Sequence, residues 1–138
     1  MGEYDDMNTK VIEEFRANAG VVGGYFTGAP MILVNTVGAK SGKPMTIPLV
    51  YQPDGEHWII FASAAGALKH PAWYHNVKAN PDLTIEVGEE IIEAHAEEVT
   101  GAERDEIYAK QAALMSNFAE YEKLATTRKI PVIRVSRR

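Results

Sequence analysis

The chain has 138 residues, enough for one domain with a hydrophobic core, and its hydrophobic and charged fractions of 46% and 24% are typical of a soluble globular protein. It contains no cysteine, which excludes disulfides, thiolate metal sites and cysteine nucleophiles. The net charge of −5 argues against a nucleic-acid partner. The acidic N-terminus is unlike a signal peptide, so we expect a cytoplasmic protein.

The elements expected along the chain begin with a helix capped by Asn8 or Thr9, followed by a glycine-rich loop that ends at Pro30. Three strands should then form a meander, and a short helix should separate them from a second hairpin. Thr100 and Glu103 have the spacing of a capping box. The expected strands are Met31–Val37, Met45–Gln52, His57–Ser63, Leu83–Val87, Ile91–Val99 and Ile130–Val135, and the later helices are His70–Ala79, Ala102–Met115 and Phe118–Ala125.

About six antiparallel strands with peripheral helices indicate a mainly β, mixed α+β fold, and the hairpin connections favour an antiparallel barrel. Apolar and charged residues alternate along Ile91–Val99, which indicates that one side of this strand faces solvent. No repeat or interdomain linker interrupts the sequence. We therefore expect one domain over residues 1–138, with a helix and loop over 1–30 and the barrel over 31–138.

The middle of the chain is basic, although the protein as a whole is acidic. Residues 31–81 contain four lysines and only two acidic residues. Lys40, Ser41 and Lys43 lie between two expected strands, where ammonium and free backbone N–H groups suit an anionic ligand. The segment Gly38–Pro44 resembles a phosphate-binding P-loop, but the glycine spacing is one residue short and Pro44 replaces the magnesium-binding hydroxyl. We therefore exclude nucleotide hydrolysis.

The histidines and serines do not form a recognisable catalytic or metal-binding motif. His70 and His75 are five residues apart and would not share a helix face, so we expect no zinc and no other metal. A serine–histidine–aspartate triad is left open by composition, but Ser41 and Ser63 lack the glycines of a nucleophile elbow.

Two further segments extend the basic region toward a cofactor site. The small residues of Phe61–Ala67 follow a strand end and would let a flat ring approach the backbone closely. Trp73, Tyr74 and Asn76 lie on the short helix that follows, and Lys78 adds charge. An anion-binding corner, a narrow slot and nearby aromatic rings together suit a phosphorylated planar cofactor.

These segments resemble the deazaflavin-dependent nitroreductase and quinone reductase family of actinobacteria. The resemblance runs in order through Gly38–Pro44, Ile47–Leu49, Ala62–Ser63, Lys69–Pro81 and Arg128–Ile133. It implies a split β-barrel of the FMN-binding, flavin-reductase-like type. It also implies coenzyme F-420, a deazaflavin with a phosphate and an oligoglutamate tail, as the cofactor.

The resemblance also implies roles for residues at matching positions. The tail and ring edge of the cofactor would contact Lys40, Ser41, Met45, Thr46, Ile47 and Pro48. Beside them, the charge of Lys43 would help Lys40 to anchor the tail. The ring would be lined by Phe61, Ala62, Ser63 and Ala64, and closed on its far side by Ala72, Trp73, Tyr74 and Asn76. The substrate pocket would contain Tyr25, Phe118 and Tyr121. The expected catalytic residues are Ser63, which would hydrogen-bond the ring or substrate, and Tyr121, which would supply a proton unless Tyr25 or solvent does so.

We therefore predict an oxidoreductase that transfers a hydride from reduced coenzyme F-420 to an electron-poor organic acceptor, either a quinone, an activated enone or a nitroaromatic. The alternatives are an FMN-dependent reductase or oxidase on the same barrel and a non-catalytic deazaflavin-binding protein. The first expected helix is only modestly amphipathic, so membrane association is not expected. The predicted partner is a small-molecule acceptor, and a homodimer is left open.

Overall fold

The structure, a computed structural model, describes residues 3–138, with the side chains of residues 3–7 and Tyr25 outside the described part. The predicted pocket role of Tyr25 therefore falls outside the described side chains. Its helices are α1 (Glu3–Ala17), α2 (Ala72–Ala79), α3 (Gly101–Leu114) and α4 (Asn117–Leu124). Its strands are β1 (Met31–Val37), β2 (Pro44–Val50), β3 (Gln52–Asp54), β4 (His57–Phe61), β5 (Asp82–Val87), β6 (Glu90–Val99) and β7 (Val132–Arg137).

The strands form one antiparallel sheet in the order β2-β1-β5-β6-β7-β4-β3. Only Tyr51 separates β2 from β3 along the chain, yet these two strands lie at opposite edges of the sheet. The sheet must therefore curl until its edges approach each other, and β2 indeed contacts β4. This curled sheet with helices around it confirms the expected α+β fold and antiparallel barrel.

The expected meander is wrong, because β4 does not pair with β2. It pairs instead with β7, in a register that places Phe61 opposite Val132. The chain leaves the β1 side of the sheet after Val50, and β3 then pairs with β4. Strand β7 is thus interior, with β6 and β4 on its two sides, and Pro131 stands just before it.

One expected helix cap is wrong, and a second is correct in position but lacks the expected hydrogen bonds. Helix α1 begins at Glu3, so Asn8 and Thr9 lie within it. Thr100 does occupy the position before α3, but its side chain makes no capping hydrogen bond. Glu103 instead accepts a hydrogen bond from Arg134 Nη2 at 3.1 Å. A hydrogen bond from a charged donor to a carboxylate is stronger than one from a neutral backbone N–H, so the ion pair replaces the capping box.

The barrel interior is filled by branched aliphatic side chains from nearly every strand, such as Ile32, Ile60 and Ile85, which are fully buried. Trp73 and Val77 of α2 pack against this cluster. Each such side chain stabilises the fold by roughly 1.5–3 kcal/mol. Helices α3 and α4 cover β4 and β7 through a second hydrophobic cluster, which leaves space between them and the barrel.

A buried carboxylate ties α1 to the sheet. Arg16 donates to Glu86 through Nε at 3.1 Å and Nη2 at 2.8 Å, and Asn35 Nδ2 donates to the same carboxylate at 2.9 Å. Asn35 Oδ1 in turn accepts a hydrogen bond from Thr46 at 2.6 Å. The hydrogen bond from Arg16 lowers the pKa of Glu86 below its usual value, against the opposing effect of burial.

Among residues 3–138, no helix combines the length and apolar character that crossing a lipid bilayer requires.

We predict that Glu86→Gln lowers the free energy of unfolding at pH 7. Because the folded-state pKa of Glu86 is below the usual value, its ion pair contributes fully above that usual pKa, and this contribution is lost as the pH falls through the folded-state pKa. The difference between wild type and Glu86→Gln should therefore shrink as the pH falls below about 4. Chemical denaturation across pH tests this. Glu93→Gln, on the exposed face of β6, is the control, and a pH-independent difference would contradict the prediction.

Candidate functional site

A cavity of about 660 Å³ lies between the barrel and helices α3 and α4. Its apolar walls come from three hydrophobic clusters, represented by Trp73 of the barrel interior, Phe61 and Phe118 of the second cluster, and Phe26 and Val50 of a third. Its volume falls within the range of small-molecule sites. A largely apolar pocket of this size suits a flat organic ligand.

One wall of the cavity is a backbone turn of unusual conformation. Ser63, Ala64 and Ala65 line the cavity, and their backbone N–H groups donate no hydrogen bond to any described residue. Ala64, Ala65 and Gly66 have φ angles of 46°, 53° and 83°. A left-handed backbone costs a residue with a Cβ about 1–2 kcal/mol, so the surroundings must hold this turn in place.

Arg128 holds the turn. Its guanidinium donates to three backbone carbonyls. Nε donates to the Ala67 carbonyl at 2.9 Å, Nη1 to the Ala62 carbonyl at 2.9 Å, and Nη2 to the Ser63 carbonyl at 2.8 Å. Nη1 also donates to His70 Nδ1 at 3.0 Å. The carbonyls of Ala62, Ser63 and Ala67 are thus occupied, while the N–H groups of Ser63, Ala64 and Ala65 donate to no described residue and are available to a ligand. We call this set of contacts the Arg128 clamp.

The clamp also defines the state of His70. A guanidinium can only donate, so Nδ1 of His70 accepts and its proton lies on Nε2. Burial lowers the pKa of His70, and the charge of Arg128 lowers it further. His70 is therefore neutral at pH 7 and does not repel the guanidinium.

Gly66 joins the turn to α4. A Cβ at this position would lie 2.9 Å from Leu124 Cβ and 3.0 Å from Tyr121 Cα, so only glycine allows this backbone approach. Helix α4 carries Phe118 and Tyr121 into the cavity wall. The hydroxyl of Tyr121 accepts a hydrogen bond from Asn117 Nδ2 at 2.9 Å. The position of these aromatic rings therefore depends on the turn.

The basic corner between β1 and β2 is a closed turn. Gly38 N–H donates to the Lys43 carbonyl and Gly42 N–H to the Gly38 carbonyl, both at 2.9 Å, while Lys43 N–H donates to Ser41 Oγ at 3.2 Å. Gly42 has a φ of 68°, which favours glycine. Lys40 and Lys43 are exposed, and neither forms an ion pair with a described residue. Both ammonium groups are therefore available to an anion.

Asn76 attaches this corner to α2. The buried Asn76 Oδ1 accepts a hydrogen bond from Ala39 N–H at 2.9 Å, and its Nδ2 contacts Met45 Sδ at 3.5 Å. The same helix presents Trp73 to the cavity, so α2 spans the distance between the corner and the cavity wall.

The predicted site residues fall into three groups. Those that line the cavity are Pro48, Phe61, Ser63, Ala64, Trp73, Phe118 and Tyr121. Those in or beside the basic corner are Lys40, Ser41, Lys43, Met45, Thr46, Ile47 and Asn76. Ala62, Ala72 and Tyr74 do not line the cavity.

The residues of the third group, Ala62, Ala72 and Tyr74, lie neither in the cavity wall nor in the basic corner. Ala62 is fully buried beside β7, and Ala72 is exposed on α2. Tyr74 donates a hydrogen bond to Glu98 at 2.6 Å, and burial together with this carboxylate raises the pKa of Tyr74 to about 12. Its hydroxyl therefore serves the packing of α2 on β6. Their roles at a cofactor stay predictions.

No site role was predicted for Arg128, Gln52 or Gln111, which the structure places in or behind the cavity wall. Knowledge that Phe61 pairs with Val132 would have placed Arg128 beside the turn. In an antiparallel pair, the residues that follow β4 lie beside the residues that precede β7. No group of histidine, aspartate and glutamate side chains in the described part of the chain is arranged to hold a metal ion.

Known proteins are similar to this chain in sequence and in architecture. A family model described as F420H(2)-dependent quinone reductase matches residues 8–137. A Mycobacterium tuberculosis protein named F420H(2)-dependent quinone reductase is 37% identical over 127 residues, covering 90% of this chain and 85% of that protein.

Two solved structures are similar over most of the chain. The F420-H2 dependent reductase FDR-A is 36% identical with a TM-score of 0.70, covering 83% of this chain and all of that one. A structure described as a domain-swapped dimer is 30% identical with a TM-score of 0.72, covering 98% of this chain and all of that one. The family resemblance and the flavin-reductase-like fold expected from the sequence are confirmed.

We predict that Arg128→Met speeds hydrogen exchange of the Gly66 and Ala67 amides, which donate to the Ser63 and Ala64 carbonyls within the turn. The variant leaves three carbonyls without a donor, at a cost of about 1–3 kcal/mol for a buried group, and releases the left-handed residues. Hydrogen-exchange mass spectrometry of the Gly66 and Ala67 amides and thermal unfolding measure both effects. Lys129→Met, which removes a neighbouring exposed charge, is the control. Unchanged exchange in Arg128→Met would show that the turn holds itself.

We predict that Gly66→Ala destabilises the protein by at least about 1 kcal/mol more than Gly28→Ala. Gly28 has a φ of 80°, close to that of Gly66, but a Cβ there would meet nothing within 4 Å. The pair therefore separates the collision with α4 from the cost of the φ angle. Urea denaturation of both variants provides the comparison, and equal losses would refute the tight contact.

Proposed function

This chain belongs to the F420H(2)-dependent quinone reductase family, and on that premise we propose that it reduces a quinone at the expense of reduced coenzyme F-420. The observation that carries the proposal is the continuity of the site. Helix α2, through Trp73 and Asn76, joins two features: a cavity wall whose N–H groups donate to no described residue, and a corner whose two lysines form no ion pair with a described residue.

The residues present fit the cofactor. A deazaflavin has a flat ring with carbonyl groups, and the N–H groups of Ser63, Ala64 and Ala65 can donate to such groups. The small side chains of this turn allow close approach of a ring. When bound, the coenzyme supplies the hydride.

Lys40 and Lys43 would hold the anionic tail. Their pairing with a phosphate or carboxylate is charge-assisted, and no carboxylate in the described part of the chain competes for them. Asn76 fixes the backbone beside Lys40 through Ala39, so the lysines are presented by an ordered turn. The basic corner thus provides an anchor for the cofactor.

The chain's own residues orient the reactants and manage the proton. The Ser63 hydroxyl donates to no described residue, so it is available to the ring or the substrate. Tyr121 is the proposed proton donor, because the hydrogen bond from Asn117 stabilises the negative charge that forms on its oxygen. The apolar walls exclude water that would otherwise compete for these groups.

A quinone is favoured over the other acceptors by the family, whose description names quinones. FMN is the weaker cofactor candidate, because it carries one phosphate, whereas the corner offers two lysines that form no ion pair with a described residue. The relative solved as a domain-swapped dimer supports a homodimer as the assembly of this chain.

We predict that the wild-type protein binds coenzyme F-420 more tightly than FMN. The double variant Lys40→Ala/Lys43→Ala should raise the Kd for F-420 by about 2- to 30-fold, since each exposed ion pair contributes about 0.2–1 kcal/mol. The loss should fall with added salt, and kcat at saturating cofactor should change little.

Fluorescence titration and steady-state kinetics provide these values. Lys110→Ala, an exposed lysine on α3, is the matched control. Tighter binding of FMN would overturn the cofactor assignment, and an unchanged Kd in the double variant would show that the tail binds elsewhere.

A further inference from the structure

Two buried glutamines interrupt the apolar wall of the cavity. Gln52 of β3 and Gln111 of α3 both line it, and they are 3% and 2% exposed. Gln52 Nε2 donates to the Ile107 carbonyl at 3.2 Å and to Gln111 Oε1 at 3.3 Å. A carbonyl can only accept, so the nitrogen of Gln52 must face Ile107, and both of its hydrogens are used.

This arrangement fixes the amide of Gln111 in one orientation. Its oxygen faces the donor of Gln52, so its nitrogen is turned the other way. There it meets only Met115 Sδ, at 3.4 Å. A thioether is a weak acceptor, and the second N–H of Gln111 has no partner among the described residues. A buried amide is thus left with an unfilled donor beside an apolar cavity, which costs free energy unless a ligand fills it.

We propose that Gln111 Nε2 binds a carbonyl oxygen of the acceptor, with Gln52 as a positioning residue that fixes the amide orientation. This inference rests on the proposed function and deepens it by assigning a specificity contact. A quinone is flat and apolar and carries acceptor oxygens but no donors, which matches an apolar cavity with one unfilled N–H. An aromatic hydrocarbon of the same shape would fill the walls and leave the amide unpaired.

The test compares two ligands that differ in their oxygens. Menadione is the quinone probe, and 2-methylnaphthalene is its oxygen-free counterpart. Dissociation constants are measured with the protein loaded with oxidised F-420, so that no reaction occurs. Gln111→Met should raise the Kd of menadione by about tenfold and leave that of 2-methylnaphthalene within about twofold. Gln52→Met should act in the same direction, because the Gln111 amide is then free to turn.

A variant of the opposite sign keeps the test decisive if the glutamine variants unfold. Met115→Leu removes the thioether that occupies one N–H of Gln111. Because neither N–H of Gln111 then has an acceptor among the described residues, this variant should lower the Kd of menadione relative to that of 2-methylnaphthalene. In turnover with reduced F-420, Gln111→Met should raise KM for menadione more than it lowers kcat, while the Kd of F-420 itself stays unchanged.

The failure of this inference is separable from that of the proposed function. Absence of F-420-dependent reduction in the wild type would overturn the function, yet the same two ligands titrated into the cofactor-free protein would still report on Gln111. Equal changes for both ligands in Gln111→Met, or no change for menadione, would overturn the role of Gln111. A Met115→Leu variant that binds both ligands with unchanged relative affinity would overturn it as well.

Discussion

The candidate site depends on one interaction, the Arg128 clamp. A single guanidinium satisfies the carbonyls of Ala62, Ser63 and Ala67. It thereby holds two alanines in a left-handed backbone that they would otherwise avoid. Two consequences follow. The N–H groups of Ser63, Ala64 and Ala65 donate to no described residue and lie beside the cavity, and Gly66 approaches α4 closely enough to fix the aromatic rings that the helix carries.

Helix α2 connects this cavity wall with the basic corner. In only eight residues it buries Trp73 at the cavity and Asn76 beneath the corner. A ligand with a flat ring and an anionic tail needs both places at a constant separation, and a short helix packed on the barrel provides it. We therefore propose that the cavity and the basic corner form one site, although they lie on different parts of the chain.

Local patterns in the sequence were enough to predict some of these features. Strand β1 follows from its apolar, β-branched residues, the β5–β6 hairpin from alternation and turn residues, and the lysine-rich corner from composition. The pairing of β4 with β7 did not, because it joins segments about 70 residues apart. The clamp was missed for the same reason, since the carbonyls that Arg128 binds come beside it only through that pairing. Gln111 was missed because its partner, Gln52, lies on a distant strand.

We propose that the turn held by the Arg128 clamp and the basic corner form one cofactor site. A crystal structure of the protein with oxidised coenzyme F-420 tests it most directly. The ring is predicted to accept hydrogen bonds from N–H groups of Ser63–Ala65, and the tail to lie within reach of Lys40 or Lys43, with the Arg128 clamp intact. A ring bound outside the cavity, or a tail that leaves away from the corner, would contradict it.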